Sequence, residues 1–328
     1  MFYALGKKIL LLSDAEKEEL ALRAGGQNNW FTPASVSHAL QAIGQSLSRE
    51  ALEQFTAGKN LSPVSPKTIG LVMAGNIPMV GFHDLLSVLV AGHKALIKLS
   101  SQDTALMLFL INTIKEIEPA FGARIEITER LQGMDATIAT GSDNSARYFK
   151  HYFAKTPHII RQNRTSVAVL KGGESTESIL ALGNDLFLYY GLGCRNVSKV
   201  YVPKGYDFVP FIEALNTRSS VLDHHKYRNN YDYNKSIYLV NREPHLDSGF
   251  FMLRESQDLV SPISVIFYES YASPAELDLK LAANKDKIQC TVSEHGWYEG
   301  SIPFGEAQQP ALWDYADGVD TLEFLDGL

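Results

Sequence analysis

Residues 68–100 read TIGLVMAGNIPMVGFHDLLSVLVAGHKALIKLS. Residues 68–75 are a short apolar run, rich in β-formers and closed by glycine, which predicts a buried strand. Residues 78–92 are apolar at helical spacing and stop on Gly92. The run KALIKLS, residues 94–100, is a second strand. A strand, a helix and a strand at this spacing predict a parallel pair joined by a crossover helix.

The pattern extends in both directions. Upstream, residues 13–26, 32–47 and 48–58 read as helices, with Ser13 and Thr32 as N-caps and Pro33 at the first helical position. The segment NLSPVSPK, residues 60–67, is a proline-containing connector. Downstream come a long helix at 104–122, strands at 124–130 and 134–142, and a helix at 143–155. From about Thr165 the alternation is less regular. A strand at 166–172, a helix at 176–191 and a strand at 198–203 are followed by DHHKYRNNYDYNKS, residues 223–236, which reads as a polar surface excursion before a strand IYLV at 237–240.

Bulk composition removes several function classes. A chain of 328 residues exceeds a single core, so two domains or one large α/β unit is expected. A net charge of −7 argues against non-specific nucleic-acid binding and against an anionic membrane surface. The most apolar stretch, residues 70–99, is broken by Asn76, Pro78, His83, Asp84, His93 and Lys94, so no membrane span is expected. The N-terminal residues lack the order of a signal peptide. The two cysteines, Cys194 and Cys290, make neither a disulfide framework nor a four-thiolate zinc site. A reducing, cytoplasmic setting is expected.

Cys194 sits in the turn YYGLGCRNVSK, residues 189–199. Two glycines precede it, and Arg195 and Lys199 follow; such cations favour a thiolate. A buried, inert cysteine reads the turn equally well. GLGCRN is not a dinucleotide fingerprint, because Asn196 replaces the third glycine and a helix precedes it. Asn76, directly after the first strand, could donate to an oxyanion or satisfy its own turn. Lys98 ends the second strand and could meet a phosphate or ribose, or stay solvated. Gly141 and Ser142 open a helix, where a phosphate or a simple N-cap fits. Cys290, in the β-like KIQCTVSEHG, reads as a core cysteine. His224 and His225 lack ligand partners at metal spacing and read as a solvated loop. His83 and Asp84 either orient the site or pack and cap their helix.

Taken in order, these signals resemble the aldehyde dehydrogenase superfamily. The blocks GNIPMVGFHDLLSVLVAGHKALIKLSSQD, RTSVAVL, GLGCRNVSKVYVP and ALWDYADGVDTLEFL look more closely like the LuxC-type acyl-CoA reductases. The likeness runs from about residue 27 to the C-terminus. It implies an aldehyde-dehydrogenase-like fold of two α/β domains with parallel-rich sheets and the active site in the cleft between them. Residues 1–165 would hold N-terminal helices and the nicotinamide-cofactor domain, and residues 166–328 the catalytic cysteine domain.

The resemblance implies that Cys194 attacks an acyl thioester, with the Asn76 amide and the Cys194 N–H holding the oxyanion. Lys98 would meet the adenosine ribose or its phosphate, Gly141 and Ser142 would border the nicotinamide, and Asp258 would bind its ribose. The deacylating glutamate of the aldehyde-oxidising branch finds its best local match in LKGG, with Leu170 in its place. Losing that base suits a reductase. The ribose-binding glutamate is replaced by Ser101, which removes repulsion against a 2′-phosphate and implies NADPH over NADH. An acyl-transferring partner protein and a homo-oligomer are implied as well. Two rival readings are an acyltransferase that uses Cys194 without reduction and a non-catalytic acyl-carrier binding module. The segment 303–325, aromatic and acidic, is expected to pack the C-terminus against the catalytic domain.

Overall fold

The computed structural model describes residues 1–59, 61, 63 and 65–328, with Asp143 described by its backbone alone. The connector at 60–67 therefore lies partly outside the described residues. The chain divides into two compact units, Met1–Asn163 with Gln309–Leu328, and Arg164–Gln308.

The first unit opens with four helices: α1 (Phe2–Leu10), α2 (Asp14–Gln27), α3 (Pro33–Ser46) and α4 (Arg49–Thr56). α1 was not foreseen; its Leu5 and Ile9 are fully buried one turn apart. Ser13 caps α2 in a reciprocal box, its Oγ accepting from Glu16 N at 3.3 Å while the Glu16 carboxylate accepts from Ser13 N at 2.8 Å. There follow β1 (Thr68–Val72), α5 (Phe82–Val90), β2 (Lys94–Lys98), α6 (Thr104–Ile117), β3 (Ile125–Ile127), β4 (Ala136–Thr140), α7 (Asp143–Tyr152) and β5 (His158–Arg161). The strands form a parallel sheet in the order β3-β2-β1-β4-β5. The chain starts in the middle, builds to one side, then returns to the other. The reversal between β1 and β4 is a topological switch point, where open α/β sheets bind ligands outside the carboxyl ends of the strands.

The second unit holds β6 (Thr165–Val169), α8 (Thr176–Phe187), β7 (Val197–Pro203), α9 (Val209–Leu215), α10 (His225–Asn241), β8 (Leu246–Asp247), β9 (Met252–Glu255), β10 (Val265–Tyr271), α11 (Pro274–Ala282), β11 (Ile288–Ser293) and β12 (Ile302–Pro303). Its sheet runs β12-β11-β6-β7-β10-β9-β8, parallel except for β8. Every residue of β6 is buried, as a central strand requires.

The expected surface excursion and strand at 223–240 are instead 3-10 turns and the helix α10. Tyr227, Tyr231, Asn234 and Tyr238 are buried at spacings of four, three and four, a helical stripe written in tyrosine rather than in aliphatics. Leu239 and Val240, the apolar core of the supposed strand, face solvent.

The C-terminal segment with α12 (Thr321–Asp326) belongs to the first unit, which corrects the expectation that it packs on the cysteine domain. Arg161, in β5, donates to Ala316 O at 2.6 Å, to Thr321 Oγ1 at 2.9 Å and to Asp84 at 2.7 Å. His83 Nε2 meets Leu312 O at 2.7 Å, and His93 Nε2 meets Leu325 O at 3.0 Å. His83 and Asp84 are thus clamps for the returning chain.

Candidate active site

The two units carry different halves of the candidate machinery. In the first, Val72 of β1 lies beside Lys98 of β2 and Ala139 of β4. All three strands run the same way, so Asn76, Lys98, Ser101, Gly141 and Ser142 all emerge at the carboxyl edge of one sheet, around the switch point. Asn76, Lys98, Ser101 and Ser142 are exposed, and Gly141 is half-buried.

The turn that presents Asn76 is held on both flanks. Asn28 Nδ2 donates to Gly75 O at 3.0 Å. A Cβ on Gly75 would stand 2.5 Å from Ser100 Oγ and 3.1 Å from Asp103 Cβ, so only glycine permits this approach of the β1–α5 and β2–α6 loops. Met79 closes the turn with a left-handed φ of 55° and is 2% exposed. Its N–H donates to Asp103 Oδ2 at 2.6 Å. Asp103 is itself buried, its Oδ1 has no hydrogen-bond partner among the described residues, and burial pushes its carboxyl up to about 8.

Gly141 owes its identity to packing, since a Cβ there would meet Ser145 Cβ at 2.8 Å and Phe149 Cε2 at 2.9 Å. Ser142 is the N-cap of α7, accepting from Ser145 N at 3.4 Å. What this turn offers a ligand is the open first turn of a helix placed at the switch point. Lys98 Nζ pairs with no carboxylate among the described residues, and supplies a cation at the same edge.

In the second unit α8 unwinds through Tyr190 (φ 58°), Gly191 (φ 87°) and Gly193 (φ 92°). Leu192 N donates to Tyr189 O at 2.9 Å and Asn196 N to Gly193 O at 3.2 Å, so the turn folds back on itself around a half-exposed Cys194. Of the two cations that follow Cys194, Lys199 is committed elsewhere. Arg195 reaches Ala307 O at 3.5 Å. Lys199 is fully buried, ion-paired with Glu269 and hydrogen-bonded to Gln257 O at 3.1 Å, so its charge is neutralised inside the sheet rather than offered to Cys194.

Segment 305–307 hangs from Asp185 of α8, whose two oxygens accept from Gly305 N at 2.6 Å and Ala307 N at 3.1 Å. Burial pushes the Asp185 carboxyl up to about 7 against these two bonds. Asp258 is exposed in the loop after β9. That loop is tied towards the cysteine turn: Ser198 Oγ donates to Leu259 O at 2.8 Å and meets Thr165 Oγ1 at 2.7 Å, and Thr165 Oγ1 lies 3.2 Å from Asn196 O.

One expectation needs correction. Cys290 is half-exposed rather than a core residue, and its Sγ lies 3.0 Å from Ser166 Oγ. Leu170, which the resemblance sets in the place of the deacylating glutamate, follows β6 and is fully buried. No carboxylate occurs anywhere from residue 161 to residue 170. His224 caps α10, and its ring centroid lies 4.5 Å from that of Tyr190 in a tilted contact. Among the described residues no cluster of histidine, cysteine and carboxylate could hold a metal, and no helix is long and apolar enough to cross a membrane.

Two positioning roles are not legible in the sequence, that of Asp103 at Met79 N and that of Ser166 at Cys194 O. Asp103 carried a signal, an aspartate just before a strongly apolar helix. Ser166 carried none, because its role depends on strands distant in sequence.

No protein-family model matches the chain, and no curated protein matches it in sequence. Solved structures do. The indole-3-acetaldehyde dehydrogenase AldA of P. syringae, a cysteine-to-alanine mutant in complex with NAD+ and IAA, has a TM-score of 0.65 at 14% identity, over 93% of this chain and 73% of its own. Aldehyde dehydrogenase C of Pseudomonas syringae, in complex with NAD+ and octanal, has a TM-score of 0.66 at 10% identity, over 89% and 71%. The aldehyde dehydrogenase of Mycobacterium tuberculosis, complexed with NAD+, has a TM-score of 0.63 at 14% identity, over 89% and 71%. The chain has the aldehyde dehydrogenase fold.

Proposed function

We propose that the protein is an NADPH-dependent acyl-thioester reductase of the LuxC kind, working through an acyl-cysteine. The observation that carries this reading is a half-exposed cysteine in a glycine-rich, left-handed turn, and Leu170, in the place the resemblance gives to the water-activating glutamate, supports it. The Cys194 thiolate would add to the thioester carbonyl carbon. The Asn76 amide and the Cys194 N–H would hold the oxyanion. Collapse would expel the donor thiolate and leave the acyl group on sulfur. With Leu170 where the aldehyde-oxidising branch carries its base, that position would not activate water and the acyl-enzyme would persist. When bound, NADPH would supply the hydride that turns the acyl group into an aldehyde. Cys194 would then leave as thiolate, ready for another cycle.

The residues at the carboxyl edge of the first sheet fit such a cofactor. Lys98 and the first turn of α7 suit phosphate. Ser101 is exposed without a charge, and Asp103 points inward onto Met79 N instead of facing a 2′-phosphate. Asp258 would hold the nicotinamide ribose. The same reading expects a cytoplasmic homo-oligomer and an acyl-transferring partner protein.

The test is intact-protein mass after mixing with a long-chain acyl-CoA, with and without NADPH. The expected result is an adduct on Cys194 that disappears with NADPH as aldehyde forms, and no adduct in Cys194→Ala. An adduct indifferent to NADPH would replace this reading with an acyltransferase. No adduct from any thioester would replace it with a binding module.

A further inference from the structure

We infer that Cys290 is a positioning residue for the candidate nucleophile, acting as a hydrogen-bond donor through Ser166. The inference rests on the reading of Cys194 as the nucleophile.

Ser166 is fully buried, and its Oγ has three neighbours: Cys194 O at 3.0 Å, Cys290 Sγ at 3.0 Å and Cys290 N at 3.3 Å. A serine hydroxyl has one proton. A carbonyl oxygen can only accept, so that proton points at Cys194 O. The Cys290 N–H can only donate, and it occupies one lone pair of Oγ. The remaining contact is completed when the Cys290 S–H donates to the second lone pair. The chain of donors therefore runs one way, from the Cys290 thiol through Ser166 Oγ to the carbonyl of Cys194.

The sheet is deformed to build this chain. The ladder between β6 and β7 shifts register between Ser166 and Val167. The ladder between β11 and β6 shifts between Ile288 and Thr291, the interval that holds Cys290. Irregular pairing thus flanks Ser166 on both sides. In a regular ladder the Cys290 N–H would pair with a β6 carbonyl, whereas here it pairs with the Ser166 side chain. Bulges re-aim side chains in this way next to active sites. The carbonyl they reach belongs to Cys194, so the bond fixes the Cys194–Arg195 peptide plane. With φ at Gly193 already left-handed, that plane sets the direction in which the Cys194 side chain leaves the backbone.

A donor role and a packing role predict opposite rankings of variants. Cys290→Ser keeps a donor but loses volume, while Cys290→Val keeps volume but loses the donor. The rate of Cys194 acylation by a long-chain acyl-CoA, read on the Cys194 peptide by mass, should stay within about twofold of wild type in Cys290→Ser. In Cys290→Val and in Ser166→Ala it should fall about fivefold to tenfold, the effect of one neutral hydrogen bond. The double variant should be no slower than Ser166→Ala alone, because both changes cut the same chain. A second readout does not depend on the reaction. In Cys194→Ala the only thiol left is Cys290, and its infrared S–H stretch should lie at the lowered frequency of a donor and rise when Ser166→Ala is added. Wild-type acylation in Cys290→Val, a Cys290→Ser as slow as Cys290→Val, or an S–H stretch unmoved by Ser166→Ala would each overturn the inference. If wild type takes no acyl group at all, the proposed reaction fails and the infrared comparison alone decides this one.

Discussion

Replacing Asp103 by asparagine should flatten the fall in stability between pH 5.5 and 7.5. The Asp103 carboxyl goes from 3.8 to about 8 on burial. The folded state therefore holds a proton that the unfolded chain has already released across that interval. Where the folded state binds the extra proton, stability falls as pH rises. The stabilisation is fully present below 3.8, declines through the interval and is gone above about 8. One proton gives a slope of about 1.4 kcal/mol per pH unit, so two units come to about 3 kcal/mol. In a unit of this size that is about 6–12 °C in Tm. Asp185, pushed up to about 7, acts in the same direction. Asp247 and Asp320, whose pKa values are lowered, act in the opposite direction, and their stabilisation is lost only at acid pH.

The Asp103→Asn side chain can still accept from Met79 N, so the turn bearing Asn76 keeps its anchor. Thermal unfolding of wild type and variant, followed by circular dichroism at several pH values, isolates the Asp103 contribution as the difference between two slopes. The variant should match wild type near pH 5 and exceed it near pH 8. Parallel Tm curves across the interval would show that Asp103 titrates normally and that its burial has been misread.

Three further outcomes follow from the same geometry. Gly75→Ala should cost about 1–3 kcal/mol through overpacking against Ser100 and Asp103, and should lower the rate of Cys194 acylation because it moves the Asn76 turn; an unchanged rate would separate Asn76 from the oxyanion. Asp84→Ala removes the carboxylate that accepts from the buried Arg161 guanidinium at 2.7 Å, at about 1.5–3 kcal/mol for a charge-assisted hydrogen bond; limited proteolysis should then cut within residues 309–328 before the rest of the first unit, and a uniform digestion pattern would contradict the clamp. Ser101→Glu should turn cofactor preference from NADPH towards NADH by on the order of tenfold or more in kcat/KM, and an unchanged ratio would remove Ser101 from the 2′-phosphate site.

The first sheet was legible because each strand and helix announces itself locally. Apolar runs end on Gly75 and Gly92, and caps stand at Ser13 and Thr32, so the candidate residues could be placed at strand ends without any knowledge of pairing. The second unit was harder for specific reasons. α10 buries tyrosines and an asparagine, which hydropathy reads as surface, while its exposed Leu239 and Val240 imitate a strand. Lys199 looked like a cation available to Cys194 because Glu269, its partner, lies 70 residues further on. Cys290 looked like core because Ser166, the residue its thiol meets, lies on a strand 124 residues away.

The residues that reading missed share one physical feature. Asp103 and Ser166 each hold a turn by its backbone, at Met79 N and at Cys194 O. Both turns contain left-handed φ values, at Met79 and at Gly193, and a turn in that region relaxes unless its surroundings hold it. Side-chain packing alone does this poorly next to groups that must stay exposed, such as Asn76 and Cys194. A buried hydrogen bond to the main chain does it without occupying the exposed face. Positioning and chemistry are then carried by different residues in each unit. Changes at Asp103, Ser166 or Cys290 that remove these hydrogen bonds should alter how fast the exposed groups react while leaving every one of them in place.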